Sequence, residues 1–122
     1  MSRLIYLAAD CPLPARVPGL DGWPLSPAAD DVYTTKKYRL QLLFEENDPA
    51  ALPALLKLVR ETAAQAGEAE LWTGWQGLEE PPRIHRYWFA ADELLETDLA
   101  EWAALPVWQE PEVHTCLVIV KE

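Results

Sequence analysis

His114 and Cys116 stand two residues apart in the C-terminal apolar run VHTCLVIV. A thiol beside an imidazole is the arrangement that makes cysteine a nucleophile, because the base takes the proton as sulfur attacks. Two positions along a strand face the same way but lie roughly 6 to 7 Å apart, beyond hydrogen-bond reach unless the side chains lean together. A cysteine in such a run also serves as a small buried hydrophobe, and that reading is preferred.

The acidic pairs Asp30–Asp31, Glu45–Glu46 and Glu79–Glu80 raise the question of paired-carboxylate chemistry. Neighbours in extended chain point to opposite faces, so adjacency alone builds no such site. Asp92, Glu93, Glu96, Asp98 and Glu101 gather around a helical region, where the helix dipole already accounts for acids near the start. A divalent cation would need oxygens converging from several directions. Two cysteines and two histidines are too few for a structural zinc site without help. The sequence contains no G-x-S-x-G, no P-loop and no G-x-G-x-x-G. No catalytic residue is therefore assigned, and neither a metal nor a cofactor is expected.

Whatever side chains act must be held by elements, and the best marked of these is Asp48 to Gly67. Leu52, Leu55, Leu56, Val59, Ala63 and Ala66 recur at helical spacing and share one stripe, while Lys57, Arg60, Glu61, Ala64 and Gln65 fall opposite. Asp48 suits the N-cap, Pro49 the first helical position, and Gly67 the left-handed stop. A second helical region spans 91 to 105 with a stripe of Leu95, Leu99, Trp102, Ala103 and Pro106, the proline ending it. Asp98 and Glu101 could instead start a separate helix, leaving 92 to 97 as a turn.

Strand patterns surround these helices. Residues 2 to 9, SRLIYLAA, are apolar on both faces. Residues 32 to 46 alternate, with Tyr38, Leu40, Leu42 and Phe44 on one side. ELWTGWQ (70 to 76), IHRYWFA (84 to 90) and VHTCLVIV (113 to 120) complete the set. Between Asp10 and Asp31 five prolines and two glycines predict a long irregular loop.

From Lys37 onward the order strand, helix, strand, strand, helix, strand resembles the split-βαβ pattern of the ferredoxin-like fold. The expected class is α+β, with a four-stranded antiparallel sheet over 37 to 121, both helices on one face, and the N-terminal strand added at an edge. The expected domain is single, 1 to 122, with 1 to 36 forming the extra strand and loop and 37 to 122 the core.

That layout makes one surface chemically conspicuous. With Tyr38, Leu40, Leu42, Phe44, Leu71, Trp75, Tyr87 and Phe89 under the helices, the opposite face presents Arg39, Gln41, Leu43, Trp72, Arg86 and Trp88. Aromatic rings beside guanidinium groups are common at recognition surfaces. The other account is that the Pro-rich segment or the extra strand folds over them as second core.

Composition narrows the partner. The net charge of −10 argues against a phosphate backbone and an anionic membrane surface. No apolar run approaches the roughly 20 residues of a membrane span, and the apolar stretch near the N-terminus is too short for a signal peptide. A cytoplasmic protein with reduced thiols is expected. The function expected is a non-enzymatic binding or protein-interaction module using Arg39, Gln41, Trp72, Arg86 and Trp88, self-associating through the open face or an edge strand. The alternative is a small enzyme or ligand binder of the dimeric α/β-barrel type, with a pocket over the sheet.

Overall fold

A computed structural model of the chain describes residues 3–14, 17, 20–24, 32–43, 50–108, 110 and 112–121. In chain order the elements are β1 (Arg3–Ala9), β2 (Asp21–Pro24), β3 (Tyr38–Leu43), α1 (Ala51–Ala66), β4 (Glu68–Trp75), β5 (Arg83–Ala90), α2 (Glu96–Trp108) and β6 (Val113–Val120). The strands form one mixed sheet in the order β2-β3-β1-β4-β6-β5. Every neighbouring pair is antiparallel except β5 with β6, which is parallel. The α+β class holds.

The ferredoxin-like order does not. β3 and β4, joined by α1, leave a slot between them that the split pattern would fill with β5. Here β1 fills it, antiparallel to both neighbours, so β1 is central and not at an edge. β5 moves to the end of the sheet. Burial explains the exchange. β1 is buried along its length from Leu4 to Ala9, as a strand apolar on both faces requires. β5 carries Arg83, His85 and Arg86, which an edge position leaves in water.

Two further expectations need correction. The strand expected from Val32 begins only at Tyr38, because 32–37 leaves the sheet and crosses one of its faces. Within the Pro-rich stretch, Asp21–Pro24 forms a short strand on β3. An outermost strand tolerates proline because one row of its amides needs no partner.

Both helices pack on one face, as expected. Leu55, Leu58, Val59 and Ala63 of α1 and Leu99, Trp102 and Ala103 of α2 share a core with Ile5, Leu7, Leu40, Leu42, Leu71, Leu117 and Ile119. The α1 stripe is turned slightly from its expected position: Leu58 and Thr62 are buried, whereas Leu52, Leu56 and Ala66 are only partly so. Gly67 stops the helix in the left-handed conformation at φ 86°, its amide donating to the Ala63 carbonyl. Arg60 donates to the carbonyls of Ala91 and Leu94, fastening α1 to the turn before α2. The alternative reading of 92 to 97 as a turn holds only in its first part: the turn covers 91–93, the helix starts at Glu96 rather than at Asp98, and the Asp98 carboxylate accepts the Leu95 amide at 2.9 Å from within the first helical turn. Leu94 is therefore buried and Leu95 exposed, reversing the expected stripe there. Pro106 does not end α2, which continues to Trp108. Its fixed φ is that of a helix, and because it stands in the last turn the bond to the carbonyl four residues back that it cannot make interrupts little helix beyond it.

Phe44, the Glu45–Glu46 pair, the Asp48 and Pro49 start signals and the Asp30–Asp31 pair lie outside the described residues, as do Pro18, Gly19, Leu25 and Pro27 of the Pro-rich stretch.

Candidate interaction face

Register places the five candidate residues in two adjacent rows on the face away from the helices. One row runs Gln41, Tyr6, Trp72, Cys116, Arg86; the next runs Arg39, Ala8, Glu70, Val118, Trp88. Arg86 and Trp88 end these rows at β5, Arg39 and Gln41 stand on β3 toward the other side of the sheet, where Trp23 of β2 pairs with Gln41, and Trp72 is near the middle of one row. The sequence pattern thus placed all five on the face away from the helices, where the register puts them. It missed Tyr6, Ala8, Cys116 and Val118, which build the centre, because the strand holding the first two was expected at an edge.

The centre is covered. Residues 32–37 cross it as a strap, and Val32 and Tyr33 pack on a second core of Leu4, Tyr6, Ala8, Trp72, Cys116 and Val118. Polar groups fix the path. The Tyr33 amide donates to the Tyr6 hydroxyl at 3.2 Å, and Thr34 Oγ1 donates to the buried Glu70 carboxylate. Arg39 donates to the carbonyls of Lys36 and Thr34. Lys36 Nζ lies 3.2 Å from Glu68 and 3.5 Å from Asp10. So Arg39, expected on an open surface, is the hinge pin of the strap.

Trp72 is fully buried, against the expectation of an exposed ring. Its indole N–H donates to Glu70 Oε1 at 2.9 Å, which satisfies part of a carboxylate that burial would otherwise penalise. Tyr6 stacks beside it with ring centroids 5.9 Å apart and planes 4° from parallel. From the other flank Arg86 reaches across Cys116, its guanidinium carbon 5.4 Å from the Trp72 ring centroid. Burial pushes the Tyr6 hydroxyl and the Cys116 thiol up in pKa, and for the thiol the nearby Glu70 carboxylate adds to the effect. A thiol so held is not a nucleophile.

His114 does not activate it either. The buried imidazole has Nε2 2.9 Å from the Trp75 carbonyl and meets the edge of Tyr33 with ring centroids 5.4 Å apart. It lies over Gly74, where an added Cβ would overlap the ring. The histidine is a packing group with a backbone partner. Among the described residues no group of three or more His, Cys, Asp or Glu is placed to hold a metal ion. Among them also, no helix is long and apolar enough to cross a membrane.

Among the described residues, the face is most open at β5. Trp88 is 65% exposed and Arg86 is exposed beside it, while Tyr87 on the helix side of the same strand is 48% exposed. The expected burial of Tyr87 under the helices fails, and His85 on the same side is exposed with it, because the core at that edge stops at Phe89. Arg83, also exposed, pairs with Glu110 at 2.6 Å and lies 3.6 Å from Glu112. The Glu112 carboxyl is held below its ordinary range, first by a backbone hydrogen bond and then by Glu110 and Arg83.

Comparison with known proteins adds no relative: no family model, no curated protein and no solved structure matches this chain.

Proposed function

We propose that the chain is a non-enzymatic protein-interaction module whose contact surface is the β5 end of the sheet face, centred on Trp88 and Arg86. The observation that carries this reading is a tryptophan left 65% exposed on a strand that ends the sheet. Aromatic rings and arginine dominate the energetics of protein contacts, where ring area and directed hydrogen bonds are used together. An edge strand adds a row of unpaired backbone groups that a partner strand can complete.

The other candidate residues support this surface from behind. Trp72 backs Arg86 through the ring contact, Arg39 holds the strap that seals Trp72, and half-buried Gln41 stands in the same row on β3. A pocketed enzyme or ligand binder of the dimeric α/β-barrel type would need open space over the middle of the sheet. Tyr33 and Thr34 occupy it. The acidic balance favours a protein partner over a nucleic acid or an anionic membrane. A reducing cytoplasm suits the two free, buried thiols of Cys11 and Cys116.

The test is a photo-crosslinking amino acid at position 88, compared with the same group at Lys57 on the exposed side of α1, in cells making the protein. A covalent adduct heavier than the chain should form from position 88 and not from position 57. No adduct from position 88 contradicts the reading.

A further inference from the structure

We infer that the partner is a second copy of this chain, joined by antiparallel pairing of β5 with β5 about a two-fold axis normal to the sheet. In the inferred register Tyr87 faces its own counterpart and Arg86 faces the second copy's Trp88. The inference rests on the interaction reading above and specifies the occupant of that surface.

Backbone direction supplies the first constraint. The amides of Arg83 and Ala91 donate toward the β6 side, to the Glu112 and Val120 carbonyls. Backbone groups alternate direction along a strand, so Arg83, His85, Tyr87 and Phe89 point inward to β6. Ile84, Arg86, Trp88 and Ala90 turn their N–H groups outward, to the side on which no strand among the described residues pairs with β5. An antiparallel partner must set outward-pointing residues opposite one another to form hydrogen bonds.

Face supplies the second. The helices cover only one side, so a two-fold normal to the sheet keeps both helix layers together and pairs residues of like facing. Only registers centred on a residue meet both conditions. Centring on Arg86 would oppose two guanidinium groups, a like-charge pair that destabilises a sheet. Centring on Trp88 would set Arg86 against Ala90, whose carbonyl already accepts the Glu93 and Leu94 amides, in the pairs that flank the centre; the Tyr87-centred register meets that carbonyl only in its outer pairs, with Ile84. Centring on Tyr87 sets Arg86 opposite Trp88 twice, and each such pair exchanges both its N–H···O bonds. It also places a cation beside an indole at each pair, an attraction that self-pairing supplies in duplicate. This is the isologous contact of a closed dimer.

Charge supplies the third. Two chains of net charge −10 repel, so they can approach only where acids are absent. RIHRYWFA contains no Asp or Glu.

The test uses the full chain carrying Tyr87→Cys, or His85→Cys as its comparison. A self-paired position of this type brings Cα atoms to about 4.5 Å, inside the disulfide window of roughly 4.4 to 6.8 Å. A cysteine at position 85 would lie about 13 Å from its counterpart along the strands, out of reach. The native chain should sediment as a dimer, Tyr87→Cys should convert almost wholly to a covalent dimer on mild oxidation, and His85→Cys should remain largely uncoupled. A native dimer in which position 85 couples as well as 87, or 87 fails to couple in a chain folded by circular dichroism, overturns the pairing. A native monomer at all concentrations also overturns it. A monomer that still forms a heavier adduct from position 88 in cells overturns self-pairing while leaving the interaction reading standing with a different partner.

Discussion

Gly74 and His114 face each other across β4 and β6 with no room for a methyl group between them: a Cβ on Gly74 would overlap Cδ2 and Cγ of the His114 ring. Gly74 also belongs to a strand buried on both faces. The glycine is therefore fixed by the imidazole and not by a turn.

Gly74→Ala should destabilise the fold by about 1 to 3 kcal/mol in chemical denaturation, the usual effect of overpacking a closed core. His114→Ala removes the obstructing ring, so the double variant should lose less than the two single losses added together. Strict additivity would mean that the ring moves aside freely.

The strap is held at Glu70, where Thr34 and Trp72 both donate to Oε1. Thr34→Val keeps the shape and removes one donor from a buried carboxylate. The expected loss is roughly 1 to 3 kcal/mol, with increased proteolysis between 32 and 37 as the measurable sign that the strap has lifted. Unchanged stability and cleavage would mean that Thr34 does not anchor the segment.

Alkaline pH should weaken the fold. The thiol of Cys116 and the hydroxyl of Tyr6 are both raised above their ordinary values of 9.0 and 10.0, chiefly by burial. Above those values the unfolded chain releases protons that the folded chain retains, so stability falls as pH rises. The contribution is complete below the ordinary values and is lost progressively toward the raised ones. Cys116→Ala with Tyr6→Phe should flatten this limb in urea titrations followed across that range. In the native state at mildly alkaline pH, Cys116 should resist thiol reagents until the protein unfolds.

The sequence carries α1, the β6 strand and the two-sided pattern of the sheet clearly, because each depends on local periodicity, whereas the bounds and stripe of α2 do not follow from it. It does not carry strand order openly, since that depends on competition for a central slot. Yet the decisive signal is present: SRLIYLAA is apolar on both faces and IHRYWFA carries His85 and Arg86 on opposite faces, so the first belongs inside and the second at an edge. Residues 32–37 mislead because Val32 and Tyr33 fit a strand pattern as well as they fit a strap. Trp72 and Trp88 look alike in sequence; what separates them is an interior against an end strand, and the strap held at Asp10, Glu68 and Glu70, residues distant from it in sequence.

That separation predicts opposite consequences for two tryptophans on one face. Trp72→Ala should cost about 3 to 5 kcal/mol of stability, as for a large core ring. Trp88→Ala should leave stability of the isolated fold within about 0.5 kcal/mol, while sedimentation shows a weakened dimer. If Trp88→Ala changes neither association nor stability, the ring has no role in a contact.

The most direct measurement of the β5 contact is residue-resolved amide hydrogen exchange of the purified chain at high and low concentration. Amides of Tyr87 and Phe89 bond toward β6 and should be protected throughout. Amides of Arg86 and Trp88 face the free edge, so they should be protected at high concentration and lose that protection on dilution. If Arg86 and Trp88 exchange rapidly at every concentration while Tyr87 and Phe89 stay protected, β5 is a bare edge and the self-pairing account is wrong.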